Sequence, residues 1–310
     1  MIDRRTFVAA GAATLLGACA ATSVTSPFSS GSGRPRLRLP RAACDSHIHI
    51  LDPRFPPTPG WSGPGVDNAS VAAYRAFQAR IGTERAVVVT PSTYGIDNSA
   101  TIDALGQFGA GARGVAVIDC YALPADLRQM GDAGITGLRV NFVSPQVWGR
   151  TEVQRLQDTA RIAADHGWHV QIYARAADLA AMAQQIAGLP TSVVIDHFGY
   201  PALGGEGADP AWPAILRLLE NGRTWAKLSG PYIASRAGPP GYADLLDHAR
   251  QLVRAAPERL VWGSDWPHRG QSANWPDDAG LIDLLLAWVP DAQQRNAILV
   301  TNPARLYGFA

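Results

Sequence analysis

"ACDSHIHILDPRF", residues 43–55, ends a short apolar run with two histidines one residue apart. Side chains on a strand alternate between its faces, so His47 and His49 point to the same side. Such a pair can ligate a metal, orient a substrate, or do neither. The choice depends on which other residues the fold brings to the pair.

The run is the first of eight. "ACDSHIHI", "RAVVVTP", "RGVAVID", "TGLRVNF", "WHVQIY", "TSVVIDH", "TWAKLSG" and "RLVWGSD" are short and mostly β-branched. Between them lie stretches such as "SVAAYRAFQARIG", "EVQRLQDTARIAADHG", "ADLAAMAQQIAG" and "YADLLDHARQLVRAAP", apolar at three- and four-residue spacing and often closed by Gly or Pro. Eight such units predict one α/β domain over residues 41–310, a (β/α)8 TIM barrel, long enough for a substantial core. In these barrels the chemistry sits at the C-terminal strand ends.

Those ends carry a compact set. Strand one offers His47 and His49. The second runs into "PSTYGIDNSA", with Ser92, Tyr94 and Asn98. Strand three ends at Asp119, strand four at Arg139 and Asn141, strand five at Tyr173. Strand six ends in "DHFGYP", with His197 and Tyr200, and strand eight in "GSDWPH", with Asp265 and His268. His166 and His248 fall on helical stretches and His169 at the start of its strand, so these read as structural. Chance does not readily put His47, His49, His197 and Asp265 at one end of three strands. "YGIDNS" is also good turn chemistry, which gives Ser92, Asp97 and Asn98 a structural reading. For Arg139 the bland alternative is an ion pair within the barrel, and for Tyr173 it is core packing.

Ahead of the barrel, "MIDRRTFVAAGAATLLGAC" reads as a twin-arginine export signal over residues 1–21, with Arg4 and Arg5 before an apolar run too short to span a bilayer. "LLGAC" resembles a lipobox, which would make Cys19 a lipidation site; an ordinary small residue in a signal cleaved near Ala21 is the other reading. Residues 22–40 are rich in Ser, Gly and Pro and read as a flexible tether. The expected location is the periplasm or, with a lipid anchor, the membrane surface of the cell envelope. Cys44 and Cys120 are too few for a disulfide framework. Lys plus Arg number 27 against 26 acidic residues, with no basic cluster beyond "RPRLRLPR", so nucleic acid is not an expected partner and a small molecule is. The oligomeric state is not legible.

Six ordered segments resemble the amidohydrolase superfamily across residues 41–309: "DSHIHILDPRFP", "ERAVVVTPSTYGIDNSATIDAL", "GLRVNF", "VVIDHFGYP", "LVWGSDWPH" and "TNPARLYGF". Within it they look like the branch that contains 2-pyrone-4,6-dicarboxylate lactonase and galactarolactone isomerase, some members of which work without metal. The resemblance implies a lactone hydrolase or lactone isomerase. It also implies Asp265 as general base and His47, His49 and His197 as the groups that polarise the carbonyl. Arg139 would hold a substrate carboxylate, with Ser92, Tyr94, Tyr173, His268 and Tyr200 around it. Tyr200 stands where the dicarboxylate enzyme has an arginine, which favours a sugar or pyrone lactone with fewer carboxylates.

Two-metal members bridge their ions with a modified lysine or a glutamate on strand four. The single lysine here, Lys227, is on strand seven, and strand four carries Arg139, whose fixed charge repels a cation. The expected cofactor is therefore none, with one Zn2+ on His47, His49, His197 and Asp265 as the alternative; that reading makes the protein a zinc-dependent hydrolase or decarboxylase. A solute-binding protein on an inactive scaffold is a third class, and the retained Asp265 argues against it.

Overall fold

Eight parallel strands hydrogen-bond in chain order: β1 Cys44–Ile48, β2 Arg85–Val89, β3 Ala112–Ala116, β4 Ile135–Asn141, β5 His169–Tyr173, β6 Val193–Ile195, β7 Thr224–Ser229 and β8 Leu260–Gly263. They are seen in a computed structural model that describes residues 25–119, 122–144, 153–204, 209–271 and 274–310. Arg4, Arg5, Cys19 and Cys120 lie outside the described residues. All eight expected strands are present.

The barrel closes between the first and last strands. Ile48 bridges Trp266 in parallel register, the His49 amide donates to the Trp266 carbonyl at 2.8 Å, and the Asp265 amide donates to the His47 carbonyl at 2.9 Å. Closure itself therefore sets the H-x-H pair beside Asp265.

Strand alternation divides the core. Val87, Val89, Val115, Val194, Trp225 and Val261 cluster with Tyr307 and Phe309 of the C-terminal segment, whereas Ala86, Val88, Leu138, Val170 and Ile172 belong to the larger cluster that the helices complete. Local signals hold at the helix ends. Ser70 caps helix Val71–Ile81 by accepting from the Ala73 amide, and Gly82 ends it at φ +96°, where a glycine carries no Cβ penalty. The stretch expected as one helix after β5 breaks at Met182 into Ala176–Ala181 and Ala183–Ala187.

Within the stretch expected as a tether over residues 22–40, residues from Ser26 onward make contacts with the barrel. The side chain of Arg80 is buried. It donates to the Ser29 hydroxyl at 2.9 Å, the Ser30 carbonyl at 2.9 Å and the Gly33 carbonyl at 3.0 Å, and it pairs with Asp277. Phe28 packs edge-on against Trp266 at 5.5 Å. Leu37 N–H and the Arg36 guanidinium both donate to Asp283. Serine hydroxyls and backbone carbonyls that read as solvated in the sequence satisfy a buried guanidinium instead. Among the described residues no helix is long and apolar enough to cross a membrane.

Candidate active site

His47 and His49 approach each other at the mouth of β1, with Nε2 to Nε2 at 3.3 Å. Asp265 Oδ1 lies 3.6 Å from each of these nitrogens. Asp265 follows β8 with φ +64° and His197 follows β6 with φ +49°. Both are in the left-handed region, which costs a non-glycine residue free energy and here turns both side chains over the barrel mouth. Ser229, at the end of β7, places its hydroxyl 3.0 Å from His197 Nδ1.

Above this group is a cavity of about 320 Å³ that His49, His197 and Asp265 share with Arg139, Tyr173 and Ser92. Ser92 is held by the Asn141 amide at 3.1 Å. Arg139 serves two sides: it lines the cavity, and its Nε lies 3.4 Å from Asp196 Oδ2, so the structural ion pair is also real. Burial pushes the Tyr173 phenol up, with the Asp265 charge adding to it, so its hydroxyl keeps its proton.

Four expected contacts change role. His47 is fully buried below the cavity and does not line it. Tyr94 is also buried; its hydroxyl accepts from the Asp52 amide at 3.0 Å and donates to the Asp52 carbonyl at 3.3 Å, which fastens the turn after β2. His268 is buried between Tyr232 and Asp278, at 2.9 and 3.0 Å, and supports the site from behind. Tyr200 stacks on Tyr173 at 6.1 Å, with the Arg175 guanidinium 4.8 Å from its ring centre, and so backs a wall of the cavity. For His47, Tyr94 and His268 a neighbouring partner satisfies the polar group, which strand-end position alone does not reveal.

Sequence reasoning missed a second layer. Lys227 on β7 donates to the Ser46 carbonyl at 2.9 Å and to Gln171 Oε1 at 2.8 Å, and it lies 3.3 Å from His47 Nδ1. Asp196 accepts from Gln171 Nε2 at 3.0 Å and sits 3.6 Å from Lys227 Nζ. All of these side chains are buried. Burial pulls the Lys227 ammonium down to about 8, against the opposing pull of Asp196. It would raise Asp196, but the surrounding His47, Lys227 and Arg139 outweigh it and keep that carboxylate well below its usual range. Burial also lowers His49, to about 4, so this imidazole is neutral at pH 7. Period-two alternation was a usable signal, since Gln171 and Lys227 each stand two residues before a strand end. Tyr232, just beyond β7, donates to Asp265 Oδ2 at 2.8 Å and was also missed.

The electrostatics of Asp265 follow. Burial raises it, yet His197, His47 and His49 together with the Tyr232 hydrogen bond bring it below the ordinary carboxylate range. It is an ionised oxygen acceptor at the edge of a cavity.

The amidohydrolase family profile matches residues 44–309. The chain belongs to the amidohydrolase family. Among curated relatives it is 36% identical to the 2-pyrone-4,6-dicarboxylate hydrolase of Comamonas testosteroni, over 88% of this chain and 92% of that one. It is 31% identical to the D-galactarolactone isomerase of Agrobacterium fabrum, over 88% and 93%. Among solved structures, an Agrobacterium tumefaciens protein in its apo form superposes with a TM-score of 0.81 at 30% identity, over 91% of this chain and 99% of that one.

The spacing at the H-x-H pair bears on a metal. Ligand atoms around a tetrahedral zinc, at about 2.0–2.1 Å from the ion, stand roughly 3.3 Å apart. The three separations among His47 Nε2, His49 Nε2 and Asp265 Oδ1 come close to that. A metal-bound histidine usually donates its other ring N–H to a carbonyl or carboxylate. His49 does so, with Nδ1 2.7 Å from the Val89 carbonyl. His47 Nδ1 faces both the Lys227 ammonium at 3.3 Å and the Asp196 carboxylate at 3.4 Å.

Proposed function

We propose that this protein opens the ring of a lactone that carries an anionic group, by hydrolysis or by ring migration, with Asp265 as the base. One observation carries the reading: an ionised, buried Asp265 at the edge of a cavity that also holds a guanidinium and a protonated phenol. The hydrolase and isomerase relatives support it, since both act on compounds their names give as lactones or pyrones.

Asp265 Oδ1 takes a proton from the attacking oxygen as that oxygen bonds to the lactone carbonyl carbon. Positioned bases of this kind contribute about 10²–10⁴-fold. The ester C–O bond then breaks, and the proton returns to the leaving alkoxide. In hydrolysis the attacking oxygen is water; in isomerisation it is another hydroxyl of the substrate. The Ser229 hydroxyl donates to His197 Nδ1, leaving Nε2–H for the developing oxyanion, and the Tyr173 hydroxyl is a second donor. Donors preorganised in this way are worth about 3 kcal/mol each. Arg139 takes the substrate's carboxylate or another anion.

His49 has a different part from the one expected. Its Nδ1–H is committed to the Val89 carbonyl, so a neutral ring presents a lone pair at Nε2. It accepts and orients, and does not polarise the carbonyl.

The ligand-like spacing favours a second reading, a zinc-dependent hydrolase or decarboxylase. The ammonium against His47 Nδ1 opposes it, and in this protonation pattern the donor set does not fit the ion. We also propose export to the cell envelope, on the strength of Arg4, Arg5 and the apolar run after them.

The test is a panel of sugar, pyrone and muconate lactones, with and without a carboxylate, assayed in H₂¹⁸O. Turnover of anionic lactones that is lost in Asp265→Asn supports the reading, and label in the product separates hydrolysis from isomerisation. No turnover across the panel would overturn it.

A further inference from the structure

We infer that Lys227 is a positioning residue: its ammonium fixes His47 as the tautomer protonated on Nε2, which makes the histidine pair a one-way hydrogen-bond chain and keeps a divalent cation out.

The argument is a count of donors and acceptors. An ammonium has three N–H groups and no acceptor. Lys227 faces four acceptors: the Ser46 carbonyl at 2.9 Å, Gln171 Oε1 at 2.8 Å, His47 Nδ1 at 3.3 Å and, farthest, Asp196 Oδ1 at 3.6 Å. The Gln171 amide cannot flip without loss, because its Nε2 donates to Asp196 Oδ2 at 3.0 Å. Asp196 thus orients Gln171, Gln171 and Ser46 take two of the three protons, and the third goes to His47 Nδ1, which is nearer than Asp196 Oδ1. A neutral imidazole that accepts on Nδ1 carries its proton on Nε2. That proton points at His49 Nε2, 3.3 Å away. The His49 lone pair is free to receive it, because His49 Nδ1–H is spent on the Val89 carbonyl.

The chain therefore runs Lys227 to His47 to His49 to Val89, with every donor matched to an acceptor. The reverse direction would set a His47 Nδ1–H against an ammonium hydrogen. Asp196 Oδ1 lies 3.4 Å from His47 Nδ1 and 3.6 Å from Lys227 Nζ, with no shorter, well-aligned hydrogen bond of its own. It is the acceptor that the other tautomer would use once the ammonium is gone.

Metal binding has a defined proton cost in this arrangement. A dication on His47 Nε2 must displace the hydrogen there, and the ring cannot move that proton to Nδ1 while Lys227 donates to it. Loading one metal ion therefore releases one proton to solvent, either the ring's own or, if the ring proton moves to Nδ1, one from Lys227. The inference rests on the lactone reading only for its use: a fixed pair orients the groups beside Asp265.

The test needs no substrate, so it can fail while the lactone panel succeeds, and the reverse. Protein labelled with ¹⁵N-histidine is examined by long-range proton–nitrogen correlation, which distinguishes the two ring nitrogens of His47. Wild type should show Nδ1 unprotonated and Nε2 protonated. In Lys227→Met the pattern should reverse, with Nδ1–H turned to Asp196, and calorimetric titration with zinc should show affinity rising at least tenfold. A wild-type spectrum with the proton on Nδ1 overturns the inference, as does a folded Lys227→Met with unchanged tautomer and zinc affinity. Should that variant fail to fold, the wild-type spectrum decides alone.

Discussion

The hydroxyl of Tyr232 donates to Asp265 Oδ2 at 2.8 Å, leaving Oδ1 as the oxygen that faces His47 and His49. With its hydrogen so committed, the phenol oxygen accepts from His268 Nδ1 at 2.9 Å, and His268 Nε2–H is held by Asp278 at 3.0 Å. Both ring nitrogens then donate, so His268 is a cation. Burial opposes that charge, but Asp278, with Asp265 and Asp45, outweighs burial and raises the imidazole above its ordinary value. The line from Asp278 to Asp265 keeps the base ionised and aimed.

Removal of the Tyr232 hydroxyl should therefore weaken the base without emptying the site. We expect Tyr232→Phe to lower kcat about tenfold, the scale of one hydrogen bond to a charged group. The sign of the pH effect follows from Asp265 being depressed: activity is present above its pKa and lost as pH falls through it. Loss of the donor raises that pKa, so the acid limb of kcat/KM should move to higher pH. An unmoved limb would remove Tyr232 from this role.

Arg139 offers a separable test of the anion site. Arg139→Lys keeps a charge beside Asp196 and loses the planar fork that grips a carboxylate. KM for a carboxylate-bearing lactone should rise about tenfold, while a neutral lactone of the same ring should change little. Equal effects on both substrates would place the damage in the ion pair with Asp196.

Gly263 tests the backing of His47. A Cβ there would lie 2.7 Å from His47 Cβ and 2.8 Å from its amide nitrogen, so the backbone must move. Gly263→Ala should cost about 1–3 kcal/mol of stability, the scale of core overpacking, and lower kcat as well. Gly280, in helix Asp278–Asp283, has open space around its Cβ position, so Gly280→Ala should be neutral or slightly stabilising. Thermal denaturation of the two variants gives the comparison.

The eight-strand order was readable in the sequence because buried parallel strands appear as short β-branched runs. His47, His49, His197 and Asp265 were readable for the same reason, as residues just past those runs. Their division of labour was not. His49 differs from His47 only through the Val89 carbonyl and Lys227, and both partners come from other strands. Tyr94 and His268 looked equally close to the site, yet Asp52 and Asp278, each supplied by a loop or helix, draw them away from the cavity. The "SSGSG" stretch near residue 30 carried a disorder-like composition, and the buried Arg80 that organises it is some 50 residues away in sequence.

Lys227 also sets a pH dependence of stability. Its folded pKa is about 8, below the ordinary 10.5, so between these values the unfolded chain binds more protons than the folded one. Stability from this residue therefore rises with pH across that interval, by at most about 1.4 kcal/mol per pH unit. The groups that face it are Asp196 from β6, His47 from β1, Arg139 from β4 and His169 from β5. The difference between wild type and Lys227→Met in chemical denaturation should show this upward slope between pH 8 and 10. A flat difference would mean that the ammonium is not destabilised by burial.

The most direct measurement is turnover of an anionic lactone by protein stripped of metal with a chelator, assayed beside Asp265→Asn and beside the stripped protein given zinc. We expect the stripped enzyme to keep its full rate, zinc to add nothing, and Asp265→Asn to lose at least a thousandfold, near the middle of the range for general-base catalysis. A rate that vanishes on stripping and returns with one equivalent of zinc would make His47 and His49 metal ligands and contradict the reading of Asp265 as a base that works without one.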